Sequence, residues 1–143
     1  MASSLIRLVV VALICAVPAA CGGNRSTANS KLREIEQLWQ TVPIYPGMVE
    51  VDRSSSSSSS EAIVNRKYQS DASFNEVRNY YVAQLVGHGW QLVDDREVKD
   101  RGRIRGERQI EFRQGEFYID VRYAGARQAE LGWSYAIDVE WYE

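Results

Sequence analysis

The sequence has little of what most often carries chemistry. Cysteine occurs twice, at Cys15 and Cys21, and histidine once, at His88. No disulfide can form within the chain once a leader containing Cys15 is removed, and no thiolate metal site exists. One histidine also falls short of the usual zinc ligand sets. No Gly-x-Ser-x-Gly elbow is present, and nucleophilic hydrolysis needs a base held beside its nucleophile. Gly102-Arg103-Ile104-Arg105-Gly106 is not a phosphate loop, because no Gly-Lys-Ser/Thr follows it. Residues 8–17 are apolar, but a membrane-spanning helix needs ~20 such residues. Charge of one sign is not in excess. Seventeen basic against 19 acidic residues, net −2, calls for neither nucleic acid nor an anionic surface as partner. These absences argue against an enzyme, a metal protein and a resident cofactor.

What is present begins with an address. Arg7 precedes the apolar run of residues 8–17, and small residues close it, which is the layout of a secretory signal. Pro18-Ala19-Ala20-Cys21 then sets two small residues directly before a cysteine, with Gly22-Gly23 after it. This resembles a lipobox, the recognition site of bacterial lipoprotein signal peptidase. The family pattern prefers an aliphatic residue three places before the cysteine, where this chain has Pro18, with Val17 one step earlier. The resemblance implies cleavage after Ala20, acylation of Cys21, and a protein held on the exported side of a cell membrane by lipid alone. Each buried methylene contributes ~0.8 kcal/mol, and two or more chains anchor stably. Gly22 in place of an Asp implies an outer-membrane address where the envelope has two membranes. The alternative is an ordinary signal peptide that leaves Cys21 as a free thiol, a liability in an exported chain.

The organisation expected from this is residues 1–20 as signal peptide, 21–31 as flexible tether and 32–143 as one domain. Residues 21–31 are small and polar, a composition that buries too little apolar surface to order itself. Leu32, Ile35, Leu38 and Trp39 stand at helical spacing and predict a short helix docked on the domain. The alternative, a helix lying on a membrane surface, lacks the basic residues for it. The serine run at residues 54–60 reads as an internal loop between two strands or as a linker. Apolar residues on both sides (Val49, Val51, Ile63, Val64) favour the loop.

The strongest local signal is at Ser73. With Glu76 three residues on, it forms a capping box. Phe74, Val77, Tyr81 and Leu85 follow on one stripe, and Gly87 and Gly89 supply a stop. His88 at that end suits the negative pole of the helix dipole better than a catalytic role. Beyond it, Ile110 and Phe112, then Phe117, Ile119, Val121 and Tyr123, then Tyr135, Ile137, Val139 and Trp141 alternate with polar residues. Such alternation predicts an antiparallel sheet with one dry and one wet face. The fold class expected is α+β: a two-layer sandwich, an antiparallel sheet covered by one main helix, with a short N-terminal helix and a four-strand meander after the main helix.

Pro43-Ile44-Tyr45-Pro46-Gly47, then Phe74, Tyr80-Tyr81, Leu85 and Gly89-Trp90, resembles a pattern in small bacterial lipoproteins of uncharacterised function. The resemblance carries no catalytic residues. It places residues 43–47 inside the domain.

Two further groups invite a functional reading. Asp94, Asp95, Glu97, Asp100, Glu107, Glu111 and Glu116 include enough acids for a glycosidase pair. Their interleaving with arginines reads as a solvated surface. Arg96, Lys99, Arg101, Arg103, Arg105, Arg108 and Arg113 crowd one hairpin. Arg101, Arg103 and Arg105 at its tip are candidates for contact with an anionic surface. The bland alternative is a soluble hairpin whose charges the nearby acids offset. The expected function is thus a membrane-anchored, non-catalytic module that binds an envelope protein or polymer. The alternative is a carrier of a small ligand or lipid, with its pocket between the main helix and the sheet.

Overall fold

Ser73 starts the clearest element. Its hydroxyl accepts from the Glu76 N–H at 3.4 Å, and the Glu76 carboxylate accepts from the Ser73 N–H at 2.9 Å, closing the capping box. Helix Phe74–Gly87 follows and buries Phe74, Val77, Tyr81 and Leu85. His88 caps its C-terminus, and its Nδ1 donates to the Gln84 carbonyl at 2.6 Å. Gly89, at φ +87°, turns the chain into the left-handed region. The Trp90 N–H then bonds back to the Leu85 carbonyl, and its ring packs into the core.

The computed structural model describes residues 23–143. In chain order these form α1 (Gly23–Trp39), β1 (Val49–Ser57), β2 (Glu61–Gln69), α2 (Phe74–Gly87), β3 (Gln91–Asp100), β4 (Arg103–Gln114), β5 (Phe117–Tyr123), a 3₁₀ turn (Gly125–Arg127), α3 (Gln128–Leu131) and β6 (Tyr135–Tyr142). The strands make one six-stranded antiparallel sheet in the order β1-β2-β6-β5-β4-β3. The α+β class and the meander β3 to β6 therefore agree with the sequence expectation.

Register explains the core. Phe112, Ile119, Val139 and Val64 stand opposite one another across β4, β5, β6 and β2, so they share a face. Ile110, Val121 and Ile137 form the next row. All seven are fully buried under the helices. Each buried aliphatic or aromatic side chain of this kind contributes ~1.5–3 kcal/mol.

Four expectations need correction. The sheet is not covered by one main helix. α1 packs over β1, β2 and β6, while α2 packs over β3 and β4. Nor is α1 short, since it runs 17 residues and includes positions read as tether. Its buried stripe starts at Ala28, four residues before Leu32 and fully buried like Ile35. A lone alanine among Gly, Ser and Asn gives little hydrophobic signal, yet its small size suits close packing on the sheet.

The serine run is not simply a loop. Ser54 to Ser57 belong to β1 and pair with Asn65, Val64, Ile63 and Ala62. Only residues 58–60 turn, closed by the Ser58 N–H on the Glu61 carbonyl at 2.8 Å. A ladder is made by backbone groups, and an edge strand exposed along all nine residues needs no apolar side chains.

The face away from the helices is not uniformly wet. Ser134, Ala136 and Asp138, expected to be solvated, are at most 1 % exposed. On a central strand, neighbouring side chains close over them. Asp138 lies between Asn65, which donates to it, and Arg122, whose Nη2 approaches at 2.5 Å.

Candidate functional site

The pocket expected between the main helix and the sheet is not found there, because the space between α2 and the inner sheet face is filled. Tyr81, Leu85, Phe112 and Ile119 occupy it at 2 % exposure or less. What stays open is a crevice of about 190 Å³ where α1 and α2 both end above β4 and β5. Leu85, Trp90, Ile119 and Val42 give it an apolar lining, and Thr41, His88 and Gln114 add polar groups.

Local hydrogen bonds set the course of the chain around the crevice. α1 ends in a turn with the Thr41 N–H on the Leu38 carbonyl at 2.9 Å and the Val42 N–H on the Trp39 carbonyl at 3.0 Å. Pro43 then begins the Pro-x-Tyr-Pro-Gly segment. Its Tyr45 ring meets Tyr80 edge-on at 5.3 Å, Tyr80 meets Tyr81 the same way at 5.3 Å, and the Tyr80 hydroxyl donates to the Ile44 carbonyl. This segment fastens the α1–β1 connection to α2, so its motif is structural. Opposite, the Gln114 amide donates to the His88 carbonyl at 3.3 Å and ties the end of α2 to β4. His88 is thus a capping residue at one side of the crevice. Burial pushes the Tyr81 hydroxyl well above the ordinary tyrosine range, so it stays protonated.

The arginine-rich tip lies elsewhere. Arg101, at φ +49°, and Gly102, at φ +81°, make the β3–β4 turn. Arg101, Arg103 and Arg105 surround a depression of about 330 Å³ with Asp100, Arg127 and Glu130. The structure brings the three together but treats them differently. Arg105 lies 3.6 Å from Asp100 and 3.5 Å from Glu130. Arg127 pairs with Glu130 at 2.9 Å and Glu107 at 3.1 Å. Its hydrogen bonds and charge hold the Glu130 carboxyl below the usual range. Among the described residues Arg101 and Arg103 form no ion pair. Cys21 lies outside the described residues.

Carboxylates gather on the far face of the sheet, where Glu111, Asp120 and Asp138 stand in register. Burial lifts the Asp120 carboxyl to about 6, and neighbouring acids add to the effect. Burial likewise lifts Glu140 to about 7, with Asp120 and Asp138 contributing. Among the described residues no group of histidine, cysteine or acidic side chains is arranged to hold a metal ion. No helix among them is long and apolar enough to cross a membrane.

A family model described as START domain-like matches residues 48–124, more than half of the 143-residue chain. The chain belongs to the START domain-like family. The START-like match runs from the residue before β1 to the one after β5, and omits α1, α3 and β6. It contains Leu85, Trp90, Gln114 and Ile119 of the crevice, whereas Leu38, Val42 and Pro43 precede it. The crevice therefore lies where START-like elements meet the helix that this chain places before them. No curated protein and no solved structure matches the chain.

Sequence reasoning singled out His88 and the arginines but not this crevice. Leu38, Val42, Leu85, Trp90 and Ile119 come from separate elements, and each reads alone as a core residue. The one local signal was Gly89-Trp90, which places a large ring at the end of α2.

Proposed function

We propose that this domain binds a small apolar or amphipathic ligand in the crevice where α1 and α2 end above β4 and β5. The observation that carries the reading is that crevice, an apolar lining with a few polar groups, in the helix–sheet seam. Such a combination is typical of small-molecule sites. Membership of the START domain-like family supports a ligand- or lipid-binding role. At about 190 Å³ the crevice is smaller than the ~300–1,000 Å³ of drug-sized sites. It suits the apolar end of a chain, with the polar head among Thr41, His88 and Gln114.

The domain works as a binding module and not as an enzyme. It is carried on the exported side of a membrane by acyl chains on Cys21, in the outer membrane where the envelope has two. From there it meets ligand drawn from the membrane or from an envelope polymer or protein. The lipobox at residues 18–21 supports this placement, and metabolic labelling with an acyl-chain precursor tests it. Label on wild type and none on Cys21→Ser is expected, whereas equal label on both would remove the anchor from the account.

Val42→Phe tests the binding reading. Val42 is 8 % exposed at the crevice wall, and the larger ring fills the opening. Titration of octanoate and dodecanoate into wild type should show saturable binding by calorimetry. Val42→Phe should weaken it about tenfold or more while the chain still melts cooperatively. Equal affinity in a folded Val42→Phe variant would place the ligand elsewhere.

A further inference from the structure

A second cavity lies on the other side of the molecule, under the β5–β6 connection. Its walls are set by a close backbone approach. The β3–β4 register shifts between Val98 and Lys99, which makes Arg105-Gly106 bulge from β4. Gly125 presses onto that bulge so tightly that a Cβ there would stand 2.4 Å from the Gly106 carbonyl carbon. The contact pins the 3₁₀ turn and α3 over β4 and leaves a space of about 340 Å³. That volume falls within the range of small-molecule sites.

The lining combines two kinds of surface. Val98, Leu131 and Trp133 are apolar, and Trp133 is half-buried yet packs outside the hydrophobic core. Glu107, Gln109 and Arg122 are polar, and each already has a protein partner. Arg122 pairs with Asp138 at 2.5 Å, Glu107 with Arg127 at 3.1 Å, and the Gln109 amide with Asp120 at 2.9 Å.

That pairing narrows the ligand. An anion would be repelled by Glu107 and Asp138, the carboxylates that already offset the charges of Arg127 and Arg122. A cation would face Arg108, Arg122 and Arg127. A wholly apolar ligand would cover guanidinium and amide groups that need water or hydrogen bonds. A neutral ring bearing hydroxyls avoids all three costs. Hydroxyls both donate and accept, so they can add to spare lone pairs and N–H groups without breaking the existing pairs. The C–H face of such a ring can lie on the flat surface of Trp133. We propose that this cavity binds a sugar unit of a neutral glycan, which stacks on Trp133, donates hydroxyl hydrogen bonds to Glu107 and Gln109 and accepts one from Arg122. The proposal stands apart from the crevice on the opposite side of the sheet.

The test is ligand-observed saturation-transfer NMR on the full chain with cellobiose, maltose and diacetylchitobiose, and with glucuronate as an anionic control. At least one disaccharide should receive saturation at its ring C–H protons, and glucuronate should receive less. Trp133→Ala should weaken binding on the order of tenfold, as truncating an aromatic anchor does. Val98→Trp, which fills the cavity from the edge strand, should weaken it as well. If either variant fails to melt cooperatively, the other decides. Val42→Phe should leave sugar binding intact, which separates this site from the crevice. Transfer to none of the disaccharides, preference for glucuronate, or unchanged binding in both cavity variants would overturn the proposal.

Discussion

The two faces of the sheet are written in alternate residues of the same strands, yet different physics holds them together. On the helix side, Phe112, Ile119, Val139 and Val64 line up across four strands and are sealed from water. Their contribution scales with apolar area and depends little on pH. On the far side, Glu111, Asp120, Asp138 and Asn65 occupy the corresponding row. There burial is almost as deep at Asp138, but it is offset by specific partners, Asn65 and Arg122. Alternation in a sequence thus reports which face a residue points to. It does not report whether that face is wet, because long neighbours on a central strand can cover it. The difference also bears on function: the helix side can offer an apolar crevice, and the far side a cavity of paired polar groups.

The comparison breaks most visibly at Phe112. Phe112→Ala should cost about 3–5 kcal/mol in denaturant unfolding, at any pH where the chain is folded, since it empties a fully buried position. On the far face, Asp138→Ala should cost less. Breaking a buried ion pair costs ~3–5 kcal/mol. Here the Arg122 side chain is 41 % exposed and keeps part of its hydration, which reduces the expected loss to about 2 kcal/mol.

A smaller effect separates the faces by titration. Asp120 and Glu140 have carboxyl pKa values raised to about 6 and about 7 by burial among other acids. The folded chain therefore holds protons that the unfolded chain has released, and stability falls as pH rises from the ordinary carboxylate range through about 7. Taken in full, the two shifts correspond to about 4 kcal/mol between pH 5 and pH 8. Both groups are only part-buried, and solvent screening reduces the expected excess near pH 5 to about 1–2 kcal/mol. The double variant Asp120→Asn, Glu140→Gln should flatten the slope, whereas Phe112→Ala should leave it unchanged. At still lower pH the slope reverses, because Asp95 and Glu116 are held below the usual range by Arg78 and Arg108 and by Lys31.

Much of this arrangement was legible in the residues, and the gaps have physical reasons. Ser73 and Glu76, the stripe from Phe74 to Leu85 and the stop at Gly89 locate α2 because capping and periodicity are local. The meander was legible for the same reason. The start of α1 was hidden because its first buried residue is Ala28. The strand through Ser54 to Ser57 was hidden because a ladder with β2 is a non-local backbone interaction. At the candidate sites, the density of arginine located the hairpin tip, but not the pairing across the fold in which Arg105 meets Glu130 and Arg127 meets Glu107 and Asp100. The crevice and the far-side cavity were invisible, since their linings meet only when separate elements and the β5–β6 connection are in place.

The measurement that tests the central claim most directly is chemical-shift mapping of the isotope-labelled chain during titration with dodecanoate. The account predicts saturable shifts of the Leu38, Val42 and Leu85 methyl groups and the Trp90 indole, with the far-face residues Leu131 and Trp133 unmoved. Shifts confined to the far face, or none at the crevice, would contradict it.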